Sequence, residues 1–493
     1  MYRSLTAAAV VLACAPAAGA GPYDDLLKHS SPNTNALVLI DVKGASASAL
    51  AKREKWAEKV QQSGHGGLGF FPPDAELVAI AGEVNFTTMN RDFQVGFVKV
   101  RNLPNFKTLA AREGGTMDEI AGQLTVISPR EVYFTSFPGG TLAAVYPVDR
   151  QYVSRWLRAN RAGKLPPLAP YLRAAADAAG DSTVTIALDL EDVMDPAILR
   201  FGLGVSPVLA KYKDANLFAL SMFLSRVKGL TFSAKVAETV TGQIVVAFPE
   251  GVNRYKGVLK DLFLEVIDGH GISLTGLEKW DATFTDKTMT LSGSMSGDDL
   301  KRLVSLFAFP RPELQDAPAG AAGDAPTAGG TQRYMAAVGA ILADIKRVKD
   351  SSNYNKTATW HDNAAGQLEQ LSRRNVDPAA VDAAYQAARG LRSIAASLRG
   401  VPIDVNAAAA KGYAYTQRVP YSGWGWYPGG WWGGYRALAF APQELRTNIP
   451  EVQGEMAKVV AEDQKRRIAT WTKIDQTMSE VRRKLEDKYK ANF

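Results

Sequence analysis

The residues best suited to acid–base chemistry in this sequence are two aspartates at corresponding places. Asp41 lies near the end of the apolar segment 37–42, and Asp189 near the end of the apolar segment 184–190. Both segments are predicted strands that precede a helix. Two carboxylates that meet in a cleft could act as general acid and general base. The sequence therefore allows a polymer hydrolase whose catalytic pair is Asp41 and Asp189.

The acidic residues after Asp189 are better explained as the start of a helix. Glu191, Asp192 and Asp195 lie close enough together to suggest a calcium site, but they lack the alternating ligands and the turn glycine of a calcium loop. Asp195 followed by Pro196 instead fits a helix N-cap with proline at the first helical position. We expect Asp195 to cap a helix, and we assign no catalytic role to these acidic residues.

Other motifs predict no cofactor and no metal site. Segment 64–69 matches Gly-x-Gly-x-x-Gly, but a predicted helix precedes it and a strand follows it, the reverse of a dinucleotide-binding turn. No histidine lies three or four residues from another, so no single helix turn offers two of them to a metal ion. The four histidines are His29, His65, His270 and His361.

A segment rich in glycine and aromatic residues, 412–440, is the most unusual part of the sequence. It holds four of the nine tryptophans, and each aromatic ring can bury about 150–250 Å². Exposed, these rings could bind a protein or glycan partner or insert at a membrane interface; buried, they would form a packed lid. We predict a binding segment. Its candidate residues are Tyr421, Trp424, Trp426, Tyr427, Trp431, Trp432 and Tyr435.

The first twenty residues predict export. Arg3 supplies a positive charge, residues 5–13 are almost all apolar, and the segment 18–20 has the small-x-small pattern of a signal peptidase site. The apolar run is about half the roughly 20 residues that a membrane-spanning helix needs. We expect a protein of the periplasm or the extracellular space.

Cys14 offers a second route to the envelope. Residues 11–14, Val-Leu-Ala-Cys, resemble the lipobox of bacterial lipoproteins, in which the cysteine is acylated. In that case Cys14 would anchor the protein to a membrane by lipid; otherwise, only insertion of the aromatic segment would associate it with a membrane. Because the sequence has one cysteine, a chain processed after residue 20 could form no disulfide and no thiolate metal site.

The sequence predicts two domains joined by a linker. Residues 310–332 are rich in proline, alanine and glycine and too poor in large apolar groups to pack. They separate a mixed α+β domain, 34–309, from an all-helical domain, 333–493. The net charge of +7 arises entirely after residue 320, but acidic residues alternate with the basic ones there, which disfavours nucleic acid as a partner.

The α+β domain has the pattern of an internal duplication, with repeats at about 34–160 and 182–309. Each repeat shows a strand, a helix, further strands, a hairpin and a final helix with an aspartate near its start, Asp149 or Asp298. The paired segments are the strands 37–42 and 184–190, the helices 51–60 and 196–213, the strands 74–80 and 214–220, the strands 93–100 and 242–248, and the hairpins 131–147 and 279–295; an extra strand near 230–236 belongs to the second repeat alone.

In the helical domain, the sequence predicts three helices and then one long, coiled-coil-like helix at about 449–490. The three helices are 333–350, 356–374 and 377–399. Apolar residues of the long helix follow heptad spacing, which could pair it with another copy of the chain. These seam residues are Ile449, Val452, Met456, Val459, Ile468, Trp471, Ile474, Met478, Val481 and Leu485.

The sequence favours a non-catalytic envelope protein that binds a protein or glycan through the aromatic segment. The alternative is a hydrolase of envelope polymers that uses the two aspartates, and it requires their carboxylates to converge.

Overall fold

The computed structural model describes residues 21–63, 74–86, 90–212, 215–307, 325–350, 353–401, 403 and 460–493. Within them, twelve strands form one large antiparallel sheet. The strands are β1 (Ala36–Asp41), β2 (Ala75–Asn85), β3 (Asn90–Val100), β4 (Thr116–Ile120), β5 (Gln123–Ser128), β6 (Val132–Phe137), β7 (Thr141–Tyr146), β8 (Val184–Asp189), β9 (Gly229–Val236), β10 (Val240–Ala247), β11 (Asp281–Phe284) and β12 (Thr288–Met295).

Helices lie on both faces of this sheet. The longer ones follow the last strand, and the shorter ones connect strands. They are α1 (Asp24–Leu27), α2 (Val42–Ala47), α3 (Ala49–Arg53), α4 (Trp56–Ser63), α5 (Phe106–Glu113), α6 (Arg150–Arg161), α7 (Pro170–Ala178), α8 (Pro196–Gly204), α9 (Leu217–Leu224), α10 (Lys256–Gly269), α11 (Gly297–Ser305), α12 (Ala328–Lys349), α13 (Ala358–Glu369), α14 (Pro378–Leu398) and α15 (Gln464–Tyr489). The fold is therefore α+β, as the sequence predicts.

The two predicted repeats meet at the centre of the sheet, where β1 pairs with β8. Ala36 lies opposite Leu188, and Ile40 lies opposite Val184. Outward from β1 the order is β2, β3, β7 and β6; outward from β8 it is β9, β10, β12 and β11. Strands β5 and β4 extend the first side only. The repeats do not stack as separate sheets; they join edge to edge in one sheet.

The central strands are apolar on both faces because both faces are covered. In β1, Val38 and Ile40 point into one core, while Leu37 and Leu39 point into the other. The second core lies under α1, α6 and α7. The first core lies under α2–α4 and α8–α11 and also includes the helices after residue 327. This double burial explains why β1 is an unbroken apolar run and does not alternate.

The helices after the linker share a core with the sheet. Trp360 of α13 donates from its indole nitrogen to the carbonyl of Ser273, 3.0 Å away, and Arg302 of α11 forms an ion pair with Asp344 of α12 at 3.2 Å. The separate helical domain expected from the sequence is therefore not confirmed. The predicted linker also ends too late, because Thr327 caps α12 and residues 328–332 are helical.

The long helix is described from Gln464 to Tyr489, and its predicted start near residue 449 lies outside the described residues. Trp471, Ile474, Met478, Val481 and Leu485 are buried as predicted. Ile468 was placed on the seam wrongly: it is 50% exposed, and Arg467 is buried in its place. Arg467 precedes Trp471 by four residues and Ile468 precedes it by three, so both positions fit the three–four spacing of a seam. The structure buries the arginine and not the isoleucine.

The prediction of a strand at 214–220 is wrong, because residues 217–220 belong to α9. Residues 215–216 lead into α9, and the Asn216 side chain accepts from the amide of Ala219 at 3.0 Å, which is a helix N-cap. The counterpart of β2 is instead β9, the strand that the sequence assigned to the second repeat alone. A continuous apolar run carries no periodicity that distinguishes a buried strand from a buried helix.

Local signals in the hairpins and final helices are mostly confirmed. Gly139 and Gly140 have φ of 80° and 76° at the β6–β7 turn, where glycine meets no steric penalty. Asp149 caps α6, accepting from the amide of Tyr152 at 2.9 Å. The cap of α11 is Ser296, however, and Asp298 lies inside the first turn.

Candidate functional site

The binding segment predicted from the sequence lies outside the described residues. The same is true of the export signal, of Cys14 and of segment 64–69 with His65. These remain predictions. The binding residues concerned are Tyr421, Trp424, Trp426, Tyr427, Trp431, Trp432 and Tyr435.

Asp41 and Asp189 do not form a catalytic pair. The amide of Asp41 donates to the carbonyl of Thr183 at 2.9 Å, and the amide of Asp189 donates to the carbonyl of Asn35 at 2.8 Å. These contacts mark opposite ends of the β1–β8 pair, six residues or about 20 Å apart at 3.4 Å per residue. Because β1 and β8 run antiparallel, residues at corresponding positions of the two halves lie at opposite ends of the strand pair.

Each of these aspartates has a local structural role. Asp41 accepts from the amide of Gly44 at 2.8 Å and caps α2, and Asp189 accepts from the amide of Glu191 at 3.2 Å. Asp195 caps α8 as predicted, with the amide of Ala197 at 2.6 Å. No group of three or more histidine, cysteine, aspartate or glutamate side chains in the described residues could hold a metal ion.

Two tyrosines near these aspartates repeat across the halves and were missed in the sequence. Pro22-Tyr23 precedes Asp41 by the same spacing at which Pro170-Tyr171 precedes Asp189. Burial raises the pKa of Tyr23, and the Asp41 charge raises it further. Burial likewise raises the pKa of Tyr171 to about 12, with a smaller contribution from Asp189. A search for short identical pairs at equal spacing would have found this correspondence.

The α8–α9 surface, defined here by Ile198, Phe218 and Met222, is the largest group of exposed apolar side chains on adjacent described helices. Their exposed fractions are 41%, 60% and 42%. Phe218 and Met222 are one turn apart on α9, while Leu220, Phe223 and Leu224 of the same helix are buried. The outer side of α9 is therefore as apolar as its inner side, which a helix with one solvated face is not.

A groove of about 280 Å³ opens beside this surface, between the end of α9 and the start of α10. Its floor is aromatic: Phe223 stacks on Phe248 with ring centroids 4.6 Å apart and meets Tyr255 at the same separation. We call it the α9 groove. Its lining residues are Ala219, Met222, Phe223, Arg226, Pro249, Glu250, Arg254 and Tyr255.

Charged groups stand on two sides of the α9 groove. Arg226 is 3.9 Å from Glu250, and because both side chains are more than half exposed, the attraction between them is weak. The Arg254 guanidinium lies 5.6 Å from the Tyr255 ring centroid. No ion pair joins Arg254 to another residue in the described part of the chain.

The position of α8 and α9 in the fold explains their exposure. In the first half, the connection from β1 to β2 forms α2–α4, and α4 packs against α12. In the second half, α8 and α9 connect β8 to β9 at the corresponding place. They pack against each other, and the apolar side chains on their outer side remain exposed. The sequence indicated the apolar run in α9, but its prediction as a strand hid the exposed helix face.

None of the described helices is both long enough and apolar enough to cross a membrane. No family model matches the chain, and no curated protein matches it. Solved structures of the protein TP0453 are similar at low level. Its crystal form I has 10% identity and a TM-score of 0.34, covering 57% of this chain and 97% of that one; crystal form III has 12% identity and a TM-score of 0.32, covering 59% and 98%.

Proposed function

We propose that this protein is an exported, non-catalytic binding protein of the cell envelope, and that the α9 groove with the α8–α9 surface is a binding site for an apolar ligand. The observation that carries the proposal is the concentration of exposed apolar groups beside a preformed groove. Three of the eight large apolar side chains that are exposed among the described residues belong to this surface. Phe218 and Met222 are neighbours one turn apart on α9, and neighbouring exposed apolar side chains mark interaction sites, whereas single exposed residues are ordinary.

The groove has the properties of a small-ligand site. Ligand pockets of roughly 300–1,000 Å³ are lined mainly by apolar and aromatic groups with a few polar ones; the α9 groove has this kind of lining, and its volume of about 280 Å³ is just below that range. Stacking of Phe223 on Phe248 and Tyr255 holds its floor in place. A preformed floor lowers the entropy cost of ordering side chains on binding.

Export belongs to the proposal on the strength of the N-terminal sequence. The signal-like residues 1–20 and the lipobox-like Cys14 support a location in the periplasm, outside the cell or on a membrane by lipid attachment. A binding protein in that compartment would meet its ligand or partner within the envelope.

The finer architecture is proposed in the same sense. The shared strand order around β1 and β8, and the repeated Pro-Tyr pairs, support an internal duplication. Residues 310–327 are proposed as the linker and the helices from α12 onward as the helical unit, and heptad spacing supports a coiled-coil-like last helix. In the described residues the buried side of α15 packs on α14 of the same chain, so pairing with a second copy would depend on residues before 460.

The aromatic segment 412–440 remains a second proposed contact, with a protein or glycan. Its support is the concentration of tryptophan among glycines. Replacing Trp424, Trp426, Trp431 and Trp432 together by alanine should abolish cosedimentation with purified cell-wall glycan while leaving the circular dichroism spectrum unchanged. Unaltered cosedimentation of that variant would rule out this glycan contact.

The groove is tested with N-phenylnaphthylamine, a neutral dye whose fluorescence rises on transfer from water to an apolar site. Phe218→Ser and Met222→Ser should each weaken dye binding severalfold, because they remove exposed apolar area without disturbing the core. The matched control is Ile468→Ser, which changes an equally exposed residue on α15. The proposal fails if the native protein binds no dye, or if all three variants bind it equally well.

A further inference from the structure

We infer that the α9 groove takes a monomeric amphiphilic anion, such as a long-chain carboxylate, with its headgroup between Arg226 and Arg254. The inference rests on the proposed function of the groove and adds the charge of the ligand. It depends on a juxtaposition of two cations from different elements with a continuous apolar floor.

The two arginines that line the groove belong to different elements. Arg226 follows the end of α9, and Arg254 lies in the turn before α10. Glu250 is the one acidic residue among the eight that line the groove. At a separation of 3.9 Å, the carboxylate of Glu250 does not form a close hydrogen-bonded pair with Arg226. The groove thus keeps an excess positive charge beside its apolar floor.

The Arg254 guanidinium lies beside the turn that precedes α10. Gly251 has φ of 82°, a left-handed backbone that favours glycine, and a β-carbon there would lie 2.7 Å from Nη2 of Arg254. The guanidinium carbon is 5.6 Å from the Tyr255 ring centroid, a cation–π contact that orients the group. A planar guanidinium held in this way can bind a carboxylate through two parallel hydrogen bonds.

The apolar path from this headgroup site leads onto the helix surface. Phe223 forms the floor, Met222 forms part of the wall, and Phe218 lies one turn earlier on α9. Arg200 of α8 is 6.0 Å from the Phe218 ring centroid, so a third cation borders the far end. A molecule with one anionic end and a flexible apolar chain matches this order of groups, and a neutral apolar molecule would leave the arginines unused.

A matched pair of dyes separates charge from apolarity. Anilinonaphthalene sulfonate has nearly the same rings as N-phenylnaphthylamine and adds a sulfonate. For Arg226→Gln and Arg254→Gln, we expect the dissociation constant of the sulfonate dye to rise about tenfold, the usual effect of losing one charge-assisted hydrogen bond. Binding of the neutral dye should change less than twofold. Arg254→Lys should restore part of the affinity, because it keeps the charge but not the planar fork.

Controls define what would overturn the inference. Arg158→Gln changes an exposed cation of α6, on the other face of the sheet, and should leave both dyes unaffected. Decanoate should displace the sulfonate dye from the native protein at a concentration about tenfold lower than decanol does, because decanol lacks the charge. If the arginine substitutions weaken the binding of both dyes equally, or weaken the binding of neither, there is no headgroup site. Binding of the neutral dye to the native protein tests the groove itself.

The source of the anion is tested separately with lipid vesicles. If the groove recognises a membrane surface, phosphatidylglycerol vesicles will bind the native protein more tightly than Arg226→Gln, and free decanoate will not compete with the dye. That result would contradict a monomeric ligand. We expect the reverse: competition by decanoate, with no difference between native and variant protein on phosphatidylglycerol and phosphatidylcholine vesicles.

Discussion

The indole ring of Trp280 covers Gly293 so closely that a β-carbon on the glycine would lie 2.4 Å from Cδ1 of the ring. Gly242 lies opposite Gly293 in the β10–β12 pair, and a β-carbon there would also be 2.4 Å from the ring. The indole nitrogen donates to the carbonyl of Ser294 at 3.0 Å. The indole ring of this buried tryptophan therefore packs directly on the backbone of the two paired glycines.

Gly293→Ala should lower the free energy of unfolding by about 1–3 kcal/mol, the usual cost of forcing extra volume into a packed core. Urea denaturation followed by tryptophan fluorescence measures the change. Gly257→Ala is the control: it lies in the first turn of α10 with nothing within 4 Å of a new β-carbon, and alanine there should not lower the free energy of unfolding. Equal effects of both substitutions would contradict the close packing of Trp280 on Gly293.

The two isoleucines of α15 should respond very differently to truncation. Ile474 is 4% exposed and Ile468 is 50% exposed, although both fit the apolar spacing of the helix. Ile474→Ala should cost about 2–5 kcal/mol because it leaves a cavity against α14. Ile468→Ala should cost less than about 1 kcal/mol. If thermal denaturation gives the same loss for both, α15 is rotated from the orientation described here.

Glu113 and Arg130 form a buried ion pair near the edge of the sheet. The Glu113 side chain is 0% exposed, and its carboxylate is 2.6 Å from the guanidinium. Glu113→Gln leaves the arginine charge without its counter-ion and should cost about 2–4 kcal/mol. In contrast, Glu76→Gln breaks the exposed pair with Arg101 and should cost less than about 1 kcal/mol. Chemical denaturation of both variants measures the difference.

His361 should make the protein sensitive to mild acid. It is fully buried, and its Nδ1 donates to the carbonyl of Thr357 at 2.9 Å, so the unprotonated nitrogen is Nε2, which has no partner. Burial, together with the charges of Arg399 and Arg467, lowers the pKa of His361 from 6.5 to about 4. A folded-state pKa below the unfolded one means that the unfolded chain binds more protons between these values.

The stability contributed by neutral His361 is therefore complete above pH 6.5 and is lost as the pH falls toward 4. The full effect is on the order of 3 kcal/mol. His361→Leu should reduce the slope of unfolding free energy between pH 6.5 and 5, where most carboxylates stay charged in both variant and native protein. An unchanged slope would show that His361 is not the group responsible.

Much of the secondary structure could be predicted from short stretches of sequence. Asp149 and Asp195 cap helices as their positions predict, and the Pro-Gly-Gly turn after β6 joins two strands. Such signals depend on a few neighbouring residues, since a cap or a turn is satisfied by groups within three or four positions. The candidate site was not found in this way, because α9 carries an apolar run without a period.

The sequence by itself determined most of the strands, caps and turns. The tertiary structure decided that β1 and β8 join the two halves in one sheet, which puts Asp41 and Asp189 at opposite ends. It also decided that Arg467 is buried while Ile468 is exposed, and that Phe218 and Met222 lie on an uncovered helix face. Local conformation is governed by adjacent residues, but burial depends on which distant segment packs against a surface, and no local pattern encodes that contact.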